Sequence, residues 1–289
     1  MQYIDGKTQL IGLLGWPVSH TFSPAMHNAA AVAAGLNWVY VPLPVHPDDV
    51  QTAVSALSAL GFRGVNVTVP HKQAVMPFLD EVEVGAQAIG AVNTIVVQSS
   101  VLSPQSSVLI GHNTDWSGFL ADLREQGVAV NGRDCLILGA GGSARAVAYA
   151  LASVGARVRV LARRAEQAME LVQRLRPFFT NAVLQAGSLT ELTAVTQSLT
   201  APLIVNTTPL GMFPNVGGSP WPDERPFPDN SFVYDLVYNP LQTKLMQKAQ
   251  SSGCRAANGL GMLIHQGAEA FRLWTGVQPD VVEMRKAIQ

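Results

Sequence analysis

Residues 133–145 read Arg133-Asp134-Cys135-Leu136-Ile137-Leu138-Gly139-Ala140-Gly141-Gly142-Ser143-Ala144-Arg145. The apolar run ending at Leu138 has the length and the glycine boundary of a buried strand. The residues after the glycines continue as a helix to about Val154. The pattern is strand, glycine-rich turn, helix, with Gly139-x-Gly141-Gly142-x-Ala144 at the turn. Glycines at that place let backbone N–H groups approach a pyrophosphate at the helix N-terminus, and a small third residue lets helix and strand pack closely. Working outward, residues 157–162 form the next strand, followed by helix 165–176, strand 182–186, helix 188–198, and strands 203–206 and 232–236. Repeated β–α alternation gives a mostly parallel sheet with helices on both faces. These flanking elements favour a dinucleotide-binding domain over a bare tight turn.

The end of the second strand of this half selects the cofactor. A site for NAD places an Asp or Glu about 20 residues after the glycines, on the ribose 2′-hydroxyl. Here the strand runs into Leu161-Ala162-Arg163-Arg164, with no carboxylate. A guanidinium forms a planar, charge-assisted pair with a 2′-phosphate instead. NADP is therefore expected rather than NAD.

The first half is also α/β. Strands are expected over 8–15, 38–45, 64–69, 90–97 and 108–111, and helices over 23–35, 47–61, 71–79 and 81–88. Ser23 before Pro24 reads as an N-cap. Residues 98–107 read as an exposed hairpin loop, and residues 209–230 as a long Pro/Gly loop. Helices follow over 115–126, 241–252, 259–274 and 279–288. In Gly64-Val65-Asn66-Val67-Thr68-Val69-Pro70-His71-Lys72 a β-branched strand is stopped by proline, which has no N–H for a ladder. Lys72 then stands where a helix is expected to begin, at the edge where α/β folds bind ligands.

Composition narrows the classes. The 289 residues are 48% hydrophobic and 13% charged, with a formal net charge of −1. That is enough apolar material for two cores and argues against disorder. No Lys/Arg block points to nucleic acid or a membrane surface. No apolar run approaches the ~20 residues of a membrane helix. Residues 1–8 lack the basic patch and apolar core of a secretory leader. Cys135 and Cys254 are far apart and read as reduced, core-side thiols. A cytoplasmic protein follows.

Lysine ammonium groups lose a proton readily when desolvated, which suits Lys72 to general acid/base work, and Asp115 could share a substrate hydroxyl with it. Thr21, Ser23, Thr68 and Asn93 sit at strand–loop junctions as uncharged donors and acceptors, suited to a polyhydroxylated acid. His71 is adjacent to Lys72 but points elsewhere. No histidine pair has H-x-x-x-H spacing with a nearby acid, and no metal is expected.

These pieces resemble the shikimate dehydrogenase family over essentially the whole chain. The matching segments are Gly15-x-Pro17-Val18-x-His20-Thr21-x-Ser23-Pro24-x-x-His27-Asn28, Asn66-Val67-Thr68-Val69-Pro70-His71-Lys72, Gly90-Ala91-Val92-Asn93-Thr94, Asn113-Thr114-Asp115, the 139–145 turn, Asn206-Thr207-Thr208-Pro209-Leu210-Gly211-Met212, Tyr234-Asp235-Leu236-Val237-Tyr238 and Gly259-Leu260-Gly261-Met262-Leu263-x-x-Gln266. The resemblance implies two α/β domains. One is a mostly parallel substrate domain over 1–114 with about 259–289, whose closing helices return to it. The other is a Rossmann NADP domain over 115–258. It implies NADPH-dependent reduction of 3-dehydroshikimate to shikimate, with Lys72 as acid/base beside Asp115. Thr21, Ser23 and Tyr238 would take the carboxylate, and Thr68, Asn93 and Gln266 the ring oxygens. Gly139, Ala140, Gly141, Gly142 and Ser143 would hold the pyrophosphate. Ala162, Arg163, Arg164, Ala165, Glu166 and Gln167 would face the 2′-phosphoribose, and Leu236 and Gly259 would border the nicotinamide.

The chain departs from the family's usual pattern twice. Thr21 replaces a serine, keeping the hydroxyl and adding a methyl. Ala162-Arg163-Arg164 replaces Asn-Arg-Thr, losing an amide and gaining a guanidinium. The readings set against this one are a dual quinate/shikimate dehydrogenase and a silent metabolite-binding protein on the same scaffold. The expected partner is a small molecule only, with the chain acting as monomer or homodimer.

Overall fold

The computed structural model describes residues 4–99 and 107–289. The chain divides into two compact units, Met1–Thr114 with Ile264–Gln289, and Asp115–Leu263.

The first unit opens with β1 (Gln9–Gly15), α1 (Ser23–Ala33), β2 (Trp38–Pro44), α2 (Val50–Ala59) and β3 (Phe62–Val67). It continues with β4 (Glu81–Val82), α3 (Val84–Ile89), β5 (Thr94–Ser99) and β6 (Ser107–His112). Its sheet has the order β2-β1-β3-β5-β6-β4. β1 is parallel to β2 and β3, and β4 to β6, while β5 runs antiparallel to both β3 and β6. The sheet is buried on both faces, so its central strands are apolar throughout rather than alternating. Leu10 and Leu14 of β1 face the cluster with Val54, Leu57, Val65 and Ile95. Ile11 and Leu13 face Tyr40, Ala270 and Trp274. A side chain at Gly64 would collide with Trp274 and the Ile95 carbonyl, which accepts the indole N–H at 2.9 Å.

The second unit holds α4 (Asp115–Glu125), β7 (Asp134–Leu138), α5 (Gly142–Ser153), β8 (Arg157–Ala162), α6 (Ala165–Leu175), β9 (Leu184–Ser188) and α7 (Leu192–Gln197). β10 (Leu203–Asn206), β11 (Phe232–Asp235), α8 (Lys244–Ser251) and β12 (Arg255–Asn258) complete its sheet. α9 (Leu260–Thr275) begins in this unit and passes into the first, which ends with α10 (Val281–Lys286). The order β12-β11-β10-β7-β8-β9 is parallel throughout. Chain order reverses between β7 and β10, the doubly wound Rossmann arrangement.

Several local expectations are corrected. Residues 71–79 form turns and a short 3-10 segment, Met76–Phe78, not a helix. Lys72 gives its carbonyl to the Val92 N–H at 2.8 Å, which removes it from any helical ladder, and Pro77 has no N–H to offer. Ser23 is the first residue of α1 and not its cap, because Phe22 precedes it in helical conformation; the Ser23 N–H is taken by Thr21 Oγ1 at 3.2 Å. β5 starts at Thr94, after Gly90 has closed α3 with φ of 71°. The expected helices at 47 and 188 each start as 3-10 turns. β4 and β12 were not anticipated: Arg-Ala-Ala-Asn has little strand propensity and is made a strand by pairing with β11. Most of the expected loop over 98–107 lies outside the described residues. The 209–230 loop is partly core, with Trp221 stacked on Phe227 at 4.5 Å between ring centroids.

Candidate active site

The topology of the first unit gathers its polar residues. Its strand order reverses between β1 and β3, so the loops after both strands open at one edge. The two loops are joined there: Thr68 N–H donates to the Leu14 carbonyl at 2.9 Å, and Trp16 N–H to the Val69 carbonyl at 3.2 Å. Because β5 is antiparallel to β3, its start lies at that same edge, with Asn66 opposite Thr94. Thr94 in turn lies opposite His112, the end of β6. Segments 15–23, 68–72, 93–94 and 112–114 therefore share one edge.

Two hydrogen-bonded groups form among them. After β1, Thr21 Oγ1 donates to Ser23 Oγ at 3.1 Å. Before β5, the buried Asn93 Nδ2 donates to Thr114 Oγ1 at 3.0 Å and to Gln266 Oε1 at 3.3 Å. Gln266 is thereby carried to the site by α9, although it lies 173 positions from Asn93 in the chain. Thr68 stands at the end of β3 with its methyl where a side chain at Gly15 would be, which is why residue 15 is glycine.

His71 and Lys72 differ sharply. His71 is 1% exposed and its Nε2 donates to the Val45 carbonyl at 2.8 Å. That ring is fastened into the fold. Lys72 is half-buried, anchored through its backbone, with its side chain in the loop beyond β3. Asp115 follows Thr114 directly and is buried as the first residue of α4 in the second unit. Tyr238, Leu236 and Gly259 also belong to the second unit. Burial pushes the Tyr238 hydroxyl above the usual phenol range.

In the second unit the glycine turn fits a dinucleotide. Gly139 has φ of 109°, and a side chain there would sit 2.7 Å from Thr207 Oγ1 at the end of β10. The turn thus occupies the reversal between β7 and β10. Gly141 is the N-cap of the 12-residue α5 and offers no side-chain acceptor, so the first N–H groups of the helix keep their capacity for an anion. Side chains built on Gly141 or Gly142 would meet open space, and Gly141, Gly142 and Ser143 are exposed. Gly139 and Ala140 are partly covered. At the end of β8, Ala162 is buried while Arg163 and Arg164 project as exposed cations, with Ala165, Glu166 and Gln167 forming the first turn of α6.

A buried lock stabilises the neighbouring loops. Asp235 accepts from Asn206 Nδ2 at 2.8 Å, Thr243 Oγ1 at 2.6 Å and Val237 N–H at 3.1 Å. Asn206 Oδ1 accepts the Thr208 N–H at 2.9 Å. Burial raises the Asp235 carboxyl, and these hydrogen bonds oppose the rise. Sequence reading passed over Asn206 and Asp235 as site-supporting residues, and likewise Tyr40, Asn66 and Thr94 in the first unit. A polar residue inside an apolar strand was the available signal in Val65-Asn66-Val67.

Comparison with known proteins accords with this arrangement. The family model of the shikimate dehydrogenase substrate binding domain matches residues 13–95, and that of the shikimate 5′-dehydrogenase C-terminal domain matches residues 259–289. Shikimate dehydrogenase (NADP(+)) of Moorella thermoacetica is 47% identical over 295 residues, covering 100% of this chain and 95% of the relative. The crystal structure of shikimate 5-dehydrogenase from Thermus thermophilus in complex with NADP(H) and shikimate superposes with a TM-score of 0.84 at 37% identity, covering 97% of this chain and 98% of that one. Quinate dehydrogenase from Corynebacterium glutamicum in complex with NAD gives 0.86 at 34% identity, covering 97% and 98%. With relatives so similar over their full lengths, the chain belongs to the shikimate dehydrogenase family.

Proposed function

We propose that the protein is an NADP-dependent shikimate dehydrogenase that interconverts 3-dehydroshikimate and shikimate. One observation carries the reading. Each unit has functional groups where its own strand order reverses: uncharged donors and acceptors beside a lysine in the first, and an uncapped glycine turn followed by two arginines in the second. The full-length relatives named shikimate dehydrogenase (NADP(+)) support it.

The residues then divide the work. Thr21, Ser23 and Tyr238 hold the substrate carboxylate, and the Thr21 methyl narrows that end. Thr68, Asn93 and Gln266 bind the ring oxygens. Lys72 Nζ gives a proton to the ketone oxygen in reduction and recovers it in oxidation, with Asp115 orienting the same oxygen. NADPH, when bound, supplies the hydride. Gly139, Ala140, Gly141, Gly142 and Ser143 hold its pyrophosphate through backbone N–H groups. Ala162 to Gln167 line the adenosine ribose, where Arg163 and Arg164 pair with the 2′-phosphate. Leu236 and Gly259 border the nicotinamide. The substrate domain is the first unit and the cofactor domain the second. The enzyme works as monomer or homodimer in the cytoplasm, a setting in which the buried, unpaired Cys135 and Cys254 stay thiols.

A second reading, a dual quinate/shikimate dehydrogenase, is favoured by the likeness to a quinate enzyme. Initial rates with shikimate and with quinate, each with NADP+, decide between them. Shikimate is expected to be the better substrate. Equal or faster turnover of quinate would replace the proposal with the dual enzyme.

A further inference from the structure

We infer that a buried relay of hydrogen bonds, Tyr40–Asn66–Thr94–Asn93–Gln266, fixes the sense in which the carboxamide of Gln266 faces the substrate, and that Thr94 is its central positioning residue. The inference rests on the proposed substrate contacts of Asn93 and Gln266.

The members are all less than a tenth exposed. A carboxamide can be turned two ways, exchanging its donor and acceptor ends, so its sense must come from partners that cannot change roles. Two backbone groups do this here. The Thr114 N–H can only donate, and it lies 2.7 Å from Asn93 Oδ1. Asn93 must therefore present Nδ2 to Gln266, and Gln266 must answer with Oε1, which also accepts from Thr114 Oγ1 at 3.4 Å. With Oε1 turned inward to Asn93 Nδ2, Gln266 presents its N–H donors to a ligand.

The other fixed partner is the Asn93 carbonyl, which can only accept. Asn66 Nδ2 donates to it at 3.2 Å. Asn66 Oδ1 is then left for Tyr40, whose hydroxyl donates at 2.9 Å. Burial raises the Tyr40 phenol, which keeps that proton in place. Thr94 joins the two halves: its Oγ1 accepts from Asn66 Nδ2 at 3.1 Å and donates to Asn93 Oδ1 at 3.1 Å. Turning Asn93 or Gln266 sets donor against donor, and turning Asn66 sets acceptor against acceptor, in a buried place, which costs desolvated, unsatisfied groups. The site is thus matched to a ring oxygen that accepts a hydrogen bond from Gln266.

Thr94→Val keeps the shape and removes both roles of the hydroxyl, while Thr94→Ser keeps them. Thr94→Val is expected to raise KM for shikimate about tenfold, lower kcat by less than about threefold and leave KM for NADP+ unchanged. Thr94→Ser is expected to restore KM to within about twofold. Wild-type KM in the valine variant, an equal rise in KM for NADP+, or a serine variant as impaired as valine would overturn the relay. Should Thr94→Val not fold, Tyr40→Phe cuts the relay at its far end and is expected to raise KM about threefold; an unchanged KM there has the same contrary force. The side-chain amide signals of Asn93 and Gln266 in 1H–15N spectra of the unliganded full chain give a readout independent of turnover. They should shift in Thr94→Val and not in Thr94→Ser, and identical signals in all three proteins would overturn the relay. Failure of the wild-type chain to oxidise shikimate would instead overturn the proposed function.

Discussion

The first unit equips the end of its sheet with side chains, and the second with backbone. Around β1, β3 and β5 the proposed site is made of the hydroxyls and amides of Thr21, Ser23, Asn93 and Gln266, held by one another and by Thr114. Around β7 they are the N–H groups of an uncapped helix start, freed by glycines that leave open space in front. Side-chain atoms at fixed positions discriminate one pattern of ring oxygens from another. Backbone N–H groups donate to any phosphate, so in the proposed reading discrimination between cofactors falls to the exposed guanidinium groups after β8. The supporting knots differ in the same way. That of the first unit is neutral and directional, through Asn66 and Thr94; that of the second gathers three donors on the Asp235 carboxyl. Specificity for substrate and for cofactor should therefore be separable by mutation.

The largest expected effect is at Lys72. Lys72→Ala should lower kcat by about 10²–10⁴-fold, with both KM values little changed. His71→Ala should keep most turnover and lose stability, because its buried ring serves the Val45 carbonyl. The opposite pattern would move the acid/base role to His71. A smaller, cofactor-specific effect is expected from replacing Arg163 and Arg164 together by alanine. KM for NADP+ should rise about tenfold while KM for NAD+ and for shikimate hold, since only the 2′-phosphate loses a partner. A loss shared by NAD+ would show that these residues support the fold of α6 instead.

An effect without a part in turnover concerns acid stability and sets the units in opposite directions. His27 is fully buried, stacked on Tyr40 at 4.3 Å between ring centroids, and neither ring nitrogen has a hydrogen-bond partner. Burial drives its pKa from 6.5 to about 3. The unfolded chain takes up this proton near pH 6.5 and the folded chain only near pH 3. Stability consequently falls with pH across that window, by about 1.4 kcal/mol per pH unit. In the second unit, Asp235 has a raised pKa, so the folded state binds its proton first and gains stability as the pH falls towards 3.8. Urea unfolding at several pH values should show a slope that flattens in His27→Phe. An unaltered slope would mean that His27 titrates normally.

Much of this was legible in the sequence where the cause is local. The glycine turn, the strand ending Leu161-Ala162 and the β–α alternation of the second half depend on residue types at short spacing. What was not legible depends on contacts between distant segments. The stretch after Pro70 looks helical until Val92 claims the Lys72 carbonyl. Arg255-Ala256-Ala257-Asn258 is a strand because β11 offers it an edge. Tyr40 reaches Asn66 across the sheet from β2 to β3, with β1 between them, a meeting no local pattern announces. Lys72, Asn93 and Gln266 were named from motifs, but the direction of the Gln266 amide follows only from the atoms around it.

The most direct measurement is the initial rate of shikimate oxidation by the purified full-length chain with NADP+ and with NAD+. Turnover is expected with both, with kcat/KM higher for NADP+ by about tenfold or more. Equal efficiency with the two cofactors, or no shikimate oxidation with either, would contradict the proposal.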